Sequence, residues 1–345
     1  MNMSTLEPLA TPFSSPIPES VYKFRQSGIK RRMMRWLKPL LAVILAFALL
    51  AAIALVAVYS YITYKMMSPP IPALTSNPMK AMGLAYSDVT FPAANGLTEL
   101  EGWYVPGSSR NTVVLSHGYG GNREEIWVSL YQIAEELHKN RFNVLMFDYG
   151  FVHPEGKVTG GIQESQELKG AINFVKELGD DQVYVWGFSM GAGTALQTAM
   201  VDANHDIDGM ILDSTFLLDP DTMYYNLKQK DARLPRSTSV FMVNMLSPFI
   251  SGHSLSQVPY KKVQSTTYTI PLFMIHGEKD KVASYENTVN FFSKQKGNDL
   301  SRLWLIPDGR HEMLYKYHKA DYIKNTMKFL YDCVNQTNAH RYISA

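Results

Sequence analysis

The chain has 345 residues, of which 46% are hydrophobic, enough apolar material for one large core or two modest ones. A single cysteine, Cys333, excludes an internal disulfide framework and a cysteine-based zinc site, and its apolar surroundings in the sequence suit a buried structural thiol. The net charge of +2 is unevenly spread: seven Lys/Arg against two Asp/Glu up to Lys38 give +5, leaving 26 against 29, or −3, for the rest. A mildly acidic main body argues against nucleic acid or another polyanion as a partner.

Residues before Lys23 are rich in Pro and Ser and are expected to be disordered, within a basic tail over 1–38. Residues 39–64 contain no charged side chain before Lys65, and Leu40 to Tyr59 is almost wholly apolar, long enough to cross a hydrocarbon layer of about 30 Å. Lys30, Arg31, Arg32, Arg35 and Lys38 precede this run, so the positive-inside rule places the N-terminus in the cytoplasm and the remainder outside. Trp36, Tyr59, Tyr61 and Tyr64 stand where interfacial aromatics would. Ala52-Ile53-Ala54 resembles a cleavage site, but the apolar run is longer than a signal-peptide core, and a retained single-pass signal anchor is the reading taken. A Pro/Ser stretch within 65–80 is read as a stalk linking the anchor to the outer domain.

Asn95-Gly96 between two alternating runs predicts a hairpin over Tyr86–Phe91 and Leu97–Val105. Apolar strands are then expected at Thr112–Ser116, Phe142–Phe147, Val183–Trp186, Gly209–Leu212, Pro271–Ile275 and Arg302–Ile306. Helices are expected at about Glu125–Lys139, from Gly161 to Leu178, after Met190, at Tyr285–Lys294 and at Tyr315–Val334. Strands that read as apolar runs and alternate with helices indicate an α/β architecture with a mostly parallel, doubly wound sheet. His117, Asp148, Ser189, Asp213 and His276 each fall at or just past a strand's C-terminal end, so they share the edge where such sheets bind ligands. Between Ser214 and Thr269 the strand rhythm stops, and helices at Phe216–Leu227 and Val240–Ile250 predict a cap over that edge. The expected division is a core of 81–213 and 270–345 with a helical cap of 214–269.

The central motif is Gly187-Phe188-Ser189-Met190-Gly191, between a short apolar strand and a helix. A serine on so tight a turn needs neighbours without a β-carbon, and it projects its hydroxyl at a helix N-terminus that favours negative charge. A hydroxyl nucleophile needs a base, and the base an orienting acid. Asp280, in the loop after one late strand, and His311, after the next, are the candidates, with Asp213 as the alternative acid. His117 and His276 are read as structural, Glu278 and Glu312 as solvated, and His153 and His318 as ordinary loop and helix residues. No His/Asp/Glu cluster has metal-ligand spacing, so neither metal nor other cofactor is expected.

The His117-Gly118 loop, the Gly187–Gly191 turn, the run His276-Gly277-Glu278-Lys279-Asp280-Lys281-Val282 and the late His311 together resemble an α/β-hydrolase-fold serine hydrolase over about Tyr86–Val334. Gly102-Trp103-Tyr104-Val105-Pro106 also resembles the entry of bacterial membrane-anchored cell-surface hydrolases. The loop after Phe147 departs from the Arg-Gly-x-Gly version common among relatives. The resemblance implies Ser189 as nucleophile, His311 as base, Asp280 as acid, and the backbone N–H groups of Tyr119 and Met190 as oxyanion donors. It implies a small-molecule acyl ester as substrate. A peptidase or amidase with the same triad, or a non-catalytic surface binding protein, are the competing readings.

Overall fold

The structure, a computed structural model, describes residues 19–125, 127–295 and 297–344. The first 18 residues, most of the Pro/Ser-rich stretch expected to be disordered, lie outside them. The chain divides into two units, Met1–Val58 and Tyr59–Ala345. Helix α1 (Glu19–Met67) is continuous through Pro39 and extends beyond the expected 39–64 at both ends. The basic stretch before Pro39 is built of Lys, Arg, Met, Trp and Leu, which sustain a helix as well as the apolar run does. The portion Lys30–Met67 is the one helix among the described residues long and apolar enough to cross a membrane.

Residues 65–80 do not form a free stalk. Lys65–Met67 complete α1, and the Val158 N–H donates to the Met67 carbonyl at 2.9 Å. Asn122 Nδ2 donates to the Pro72 carbonyl at 2.8 Å, and the Thr75 N–H and hydroxyl both donate to the Glu124 carboxylate. A Pro-rich strap has few N–H groups to satisfy, so it can lie along the domain and offer carbonyls to its neighbours. Asn77 then caps the short helix α2 (Pro78–Met82).

An eight-stranded sheet forms the centre of the second unit. Its strands are β1 (Ser87–Pro92), β2 (Glu99–Val105), β3 (Asn111–Ser116), β4 (Asn143–Phe147), β5 (Gln182–Phe188), β6 (Gly209–Asp213), β7 (Leu272–Gly277) and β8 (Arg302–Ile306), in the order β1-β2-β4-β3-β5-β6-β7-β8. The first two pairings are antiparallel, and every pairing from β4 onward is parallel. Every residue of β4, β5, β6 and β7 is buried, as required of strands covered on both faces.

Helices α4 (Ile162–Glu177), α5 (Met190–Val201) and α10 (Tyr285–Phe292) supply one apolar layer through Leu168, Ile172, Val175, Leu196 and Phe291. Helices α3 (Leu130–Lys139) and α11 (Leu314–Ser344) supply the other through Ile133, Leu137, Tyr322, Phe329, Leu330 and the buried Cys333. Helix α3 starts five residues later than the sequence suggests, because Asn122 Oδ1 accepts from the N–H groups of Glu124 and Glu125 and turns that stretch into a loop. Helix α11 continues past Val334, with non-helical angles at His318.

Between β6 and β7 lie α6 (Pro220–Lys230), α7 (Arg236–Leu246), α8 (Pro248–Ser251) and α9 (Tyr260–Ser265). Asp219 accepts from the N–H groups of Asp221 and Thr222, and Pro220 occupies the first helical position, so α6 begins there rather than at Phe216.

Glu167 on α4 is buried and accepts a hydrogen bond from the Gly150 N–H. Burial, aided by the neighbouring Glu164, raises its carboxyl to about 7 from 4.5, against the opposing pull of that hydrogen bond. A carboxyl that holds its proton more tightly when folded destabilises the protein as pH rises from the unfolded value, about 4.5, through about 7, by roughly 3 kcal/mol when complete. Glu167→Gln keeps an acceptor for Gly150 and removes the titration. Denaturant unfolding at a series of pH values should show a shallower decline of stability between those limits in the variant than in the parent.

Candidate active site

Ser189 lies between the end of β5 and the start of α5 with φ +50° and ψ −114°, a region rarely adopted by residues with a side chain. The glycines flanking it answer to different neighbours. A β-carbon on Gly187 would come 2.6 Å from Ala192 Cα, and one on Gly191 would come 2.1 Å from the Ser116 carbonyl oxygen at the end of β3. The turn is also fastened from β6, where the Asp213 carbonyl accepts from the Ser189 N–H at 2.9 Å.

Three loops converge on this serine. His311 Nε2 is 2.8 Å from Ser189 Oγ, and His311 Nδ1 is 2.6 Å from Asp280 Oδ2. A carboxylate accepts, so Nδ1 carries the proton and Nε2 is left to accept from the serine hydroxyl. Adjacent strands are about 4.8 Å apart and β8 is three strands from β5. The loop after β8 must therefore fold back across the end of β7, where Asp280 waits.

The Asp280 carboxyl is shielded from solvent and fully engaged. Oδ1 accepts from the N–H groups of Val282 and Ala283, at 2.7 and 2.9 Å, and Oδ2 accepts from His311 and lies 3.1 Å from His276 Nε2, which also bonds the Ala283 carbonyl at 3.2 Å. Burial alone would raise this carboxyl, but the hydrogen bonds from His276 and His311 outweigh it and hold the group well below the ordinary carboxylate range. His276 is itself oriented by the Thr288 hydroxyl, 2.8 Å from Nδ1. His276, expected to be structural, is buried between the Thr288 hydroxyl on one nitrogen and the Ala283 carbonyl and Asp280 on the other. The four-residue spacing of His276 and Asp280 was the available signal.

Asp213, the alternative acid, makes no hydrogen bond to either of those histidines among the described residues. Its Oδ2 accepts from the Tyr322 hydroxyl at 2.6 Å and its Oδ1 from the Ser214 hydroxyl at 2.7 Å. Ser214 Oγ in turn accepts from the Glu312 N–H at 3.2 Å. Tyr322, Asp213 and Ser214 thus form a buried strut that ends one residue after His311. Glu312, expected to be solvated, is only 8% exposed, with φ +54°. The bend after His311 turns its side chain inward against the His117-Gly118 loop, where a β-carbon on Gly118 would meet its Oε1. Burial, with Glu125, Asp213 and Asp280 nearby, raises its carboxyl well above the usual value. Glu278 is exposed.

His117 packs against Tyr149 and Phe151, its Nε2 accepts from the Tyr149 N–H at 3.2 Å, and its Nδ1 is 3.0 Å from the Gly118 carbonyl. Burial lowers it to about 4, so it is a neutral brace between the loops after β3 and β4. Asp148, in the loop that lacks the Arg-Gly-x-Gly pattern, pairs with the buried Arg123 instead. Met190 is the first residue of α5, so its N–H has no acceptor within that helix. Tyr119 stands on the neighbouring loop, and both residues, with Ser189 and His311, border a cavity of about 440 Å³. The cavity is walled by Met66, Met67, Met223, Leu227, Val243 and Leu255.

The family model described as the alpha/beta hydrolase fold matches residues 111–242. An esterase of Pyrococcus furiosus, Pf2001, superposes with a TM-score of 0.63 at 26% identity, over 78% of this chain and 98% of its own. The chain has the α/β-hydrolase fold. The chain is also similar to two uncharacterised bacterial proteins. YfhR of Escherichia coli (strain K12) is 26% identical over 72% of this chain and 82% of its own, and YqkD of Bacillus subtilis (strain 168) is 25% identical over 69% and 77%.

The strut makes a quantitative claim on stability. Tyr322→Phe keeps the ring and removes the donor to a buried carboxyl, which should lower the unfolding free energy by about 1.5–3 kcal/mol in a denaturant titration. Activity should fall with it, because the bend that carries His311 loses its support.

Proposed function

We propose that the protein is a membrane-anchored serine hydrolase that cleaves carboxylic esters through an acyl-enzyme, with its catalytic unit outside the cytoplasm. The observation that carries this reading is the unbroken line of hydrogen bonds from Ser189 through His311 to Asp280. In the proposed reaction Ser189 Oγ attacks the ester carbonyl as its proton passes to His311 Nε2. The tetrahedral oxyanion is held by the Met190 and Tyr119 N–H groups, and the imidazolium is stabilised by Asp280. The proton then goes to the departing alcohol, leaving Ser189 acylated. Water, deprotonated by the same imidazole, releases the carboxylic acid and restores the serine.

The esterase among the structural neighbours favours an ester over an amide as the bond cleaved. Anchoring is supported by the apolar helix, and orientation by the five Lys/Arg before it against one Lys just after it.

A fluorophosphonate probe should label the parent and leave Ser189→Ala unlabelled; equal labelling of both would reject the reading. Asp280→Asn should lower kcat by about 10⁴-fold, since the amide no longer selects the tautomer that leaves Nε2 free. Asp280 is held ionised well below the usual carboxylate range, so its own titration should contribute no step to the pH profile of kcat between about pH 4 and 8.

A further inference from the structure

The last turns of α1 are part of the catalytic unit. Met66 and Met67 line the cavity that holds Ser189 and His311, and Ile62 and Met66 pack on the cluster of Met223, Leu227, Val243 and Leu255. The Ser239 hydroxyl donates to the Pro235 carbonyl, so the 2.9 Å contact between Tyr59 and Ser239 has the Tyr59 hydroxyl as donor and fastens α7 to this end of α1. The Tyr119 hydroxyl is tied to the carbonyls of Lys65 and Met66, at 3.2 and 3.0 Å, which joins the proposed oxyanion loop to the same turn.

That turn continues a helix apolar enough to cross a bilayer. At about 1.5 Å per residue, Met66 lies only about 10 Å along the axis from Tyr59, where the apolar run ends. The polar layer of a leaflet is itself roughly 5–8 Å thick. Along α7 and α8, Phe241, Met245 and Phe249 recur every fourth residue and are 63%, 39% and 86% exposed. An aromatic and thioether stripe of this kind is costly against water and suited to the boundary of headgroups and acyl chains. A volume of about 440 Å³ lies in the lower half of the ~300–1,000 Å³ range of ligand cavities, room for one hydrocarbon chain rather than two.

We propose that the substrate is a single-chain carboxylic ester dissolved in the bilayer, whose acyl chain enters along the end of α1 and fills the Met66–Leu227–Val243 cavity, with α7 and α8 resting on the lipid surface. Met66 and Met67, at the end of α1, then form one wall of the acyl site. This deepens the serine-hydrolase reading and rests on it.

The test uses the full chain in phosphatidylethanolamine/phosphatidylglycerol vesicles, with p-nitrophenyl palmitate and p-nitrophenyl butyrate sharing one leaving group. Each methylene taken from water adds up to about fourfold in binding, so even a few buried methylenes should give the palmitate an advantage of about tenfold or more in kcat/KM. Leu227→Trp, and separately Met66→Trp, should cut the palmitate-to-butyrate ratio by about tenfold, with far-UV circular dichroism and thermal melting as folding controls. The double variant Phe241→Glu/Phe249→Glu should lose more palmitate turnover in vesicles than in detergent micelles. A butyrate preference, or a ratio unmoved by both Trp variants, would overturn the proposal while leaving a labelled, butyrate-hydrolysing Ser189 intact. Failure of both esters together with no labelling of Ser189 would instead overturn the hydrolase reading beneath it.

Discussion

The Asp280 carboxylate is the point on which the site depends. It lies beyond β7, shielded from solvent, accepts from two backbone N–H groups and from His311, and has His276 Nε2 beside it at 3.1 Å. A buried carboxylate is tolerated only when its acceptor capacity is used, and here that requirement specifies the geometry around it. The tight turn at Val282–Ala283 sets where the carboxyl points, His276 and Thr288 lock it from behind, and His311 is left as the remaining donor. The tautomer that this imposes on His311 is the one that presents an accepting nitrogen to Ser189. Around this centre, buried carboxyl groups are used as braces: Asp213 holds Tyr322 and Ser214, Asp148 holds Arg123, and Glu167 holds the Gly150 turn.

The strand–helix alternation was legible because a doubly covered parallel sheet demands continuous apolar runs, and β3 through β7 are such runs. Ser189 was legible because the tight turn that carries it leaves no room for a β-carbon at Gly187 or Gly191. Asp280 and His311 were nameable because each follows a strand that ends in a polar loop. The braces were not legible in this way. Glu312 looks solvated in sequence, and only the left-handed bend after His311 turns it inward; nothing in a run of polar letters records φ. Asp213 also stands at a strand end and was the alternative to Asp280. The difference arises from Tyr322, more than a hundred residues later, which occupies it first. Helix starts shifted wherever an Asn or Asp side chain took the first N–H groups, as at Asn122 and Asp219.

The least legible feature was the fate of residues 59–80. Apolar and Pro-rich stretches in series suggest an anchor followed by a spacer, since composition reports solubility and stiffness but not docking. In the structure the helix continues to Met67, whose carbonyl accepts from the Val158 N–H, and the Pro-rich stretch lies against the domain, where the Pro72 carbonyl accepts from Asn122. The end of α1, at Met66 and Met67, borders the cavity that holds Ser189, which ties the proposed anchoring to the proposed chemistry.

The account stands or falls on whether Ser189, His311 and Asp280 act as one unit, and the kinetics of combined substitutions measure that directly. In ester hydrolysis by purified full-length protein, Ser189→Ala and His311→Ala should each reduce kcat to nearly the same floor. Ser189→Ala/Asp280→Asn/His311→Ala should fall no further, because removing one member already disables the others. Independent effects that multiply in the triple variant, or a Ser189→Ala protein that retains most of its rate, would contradict it.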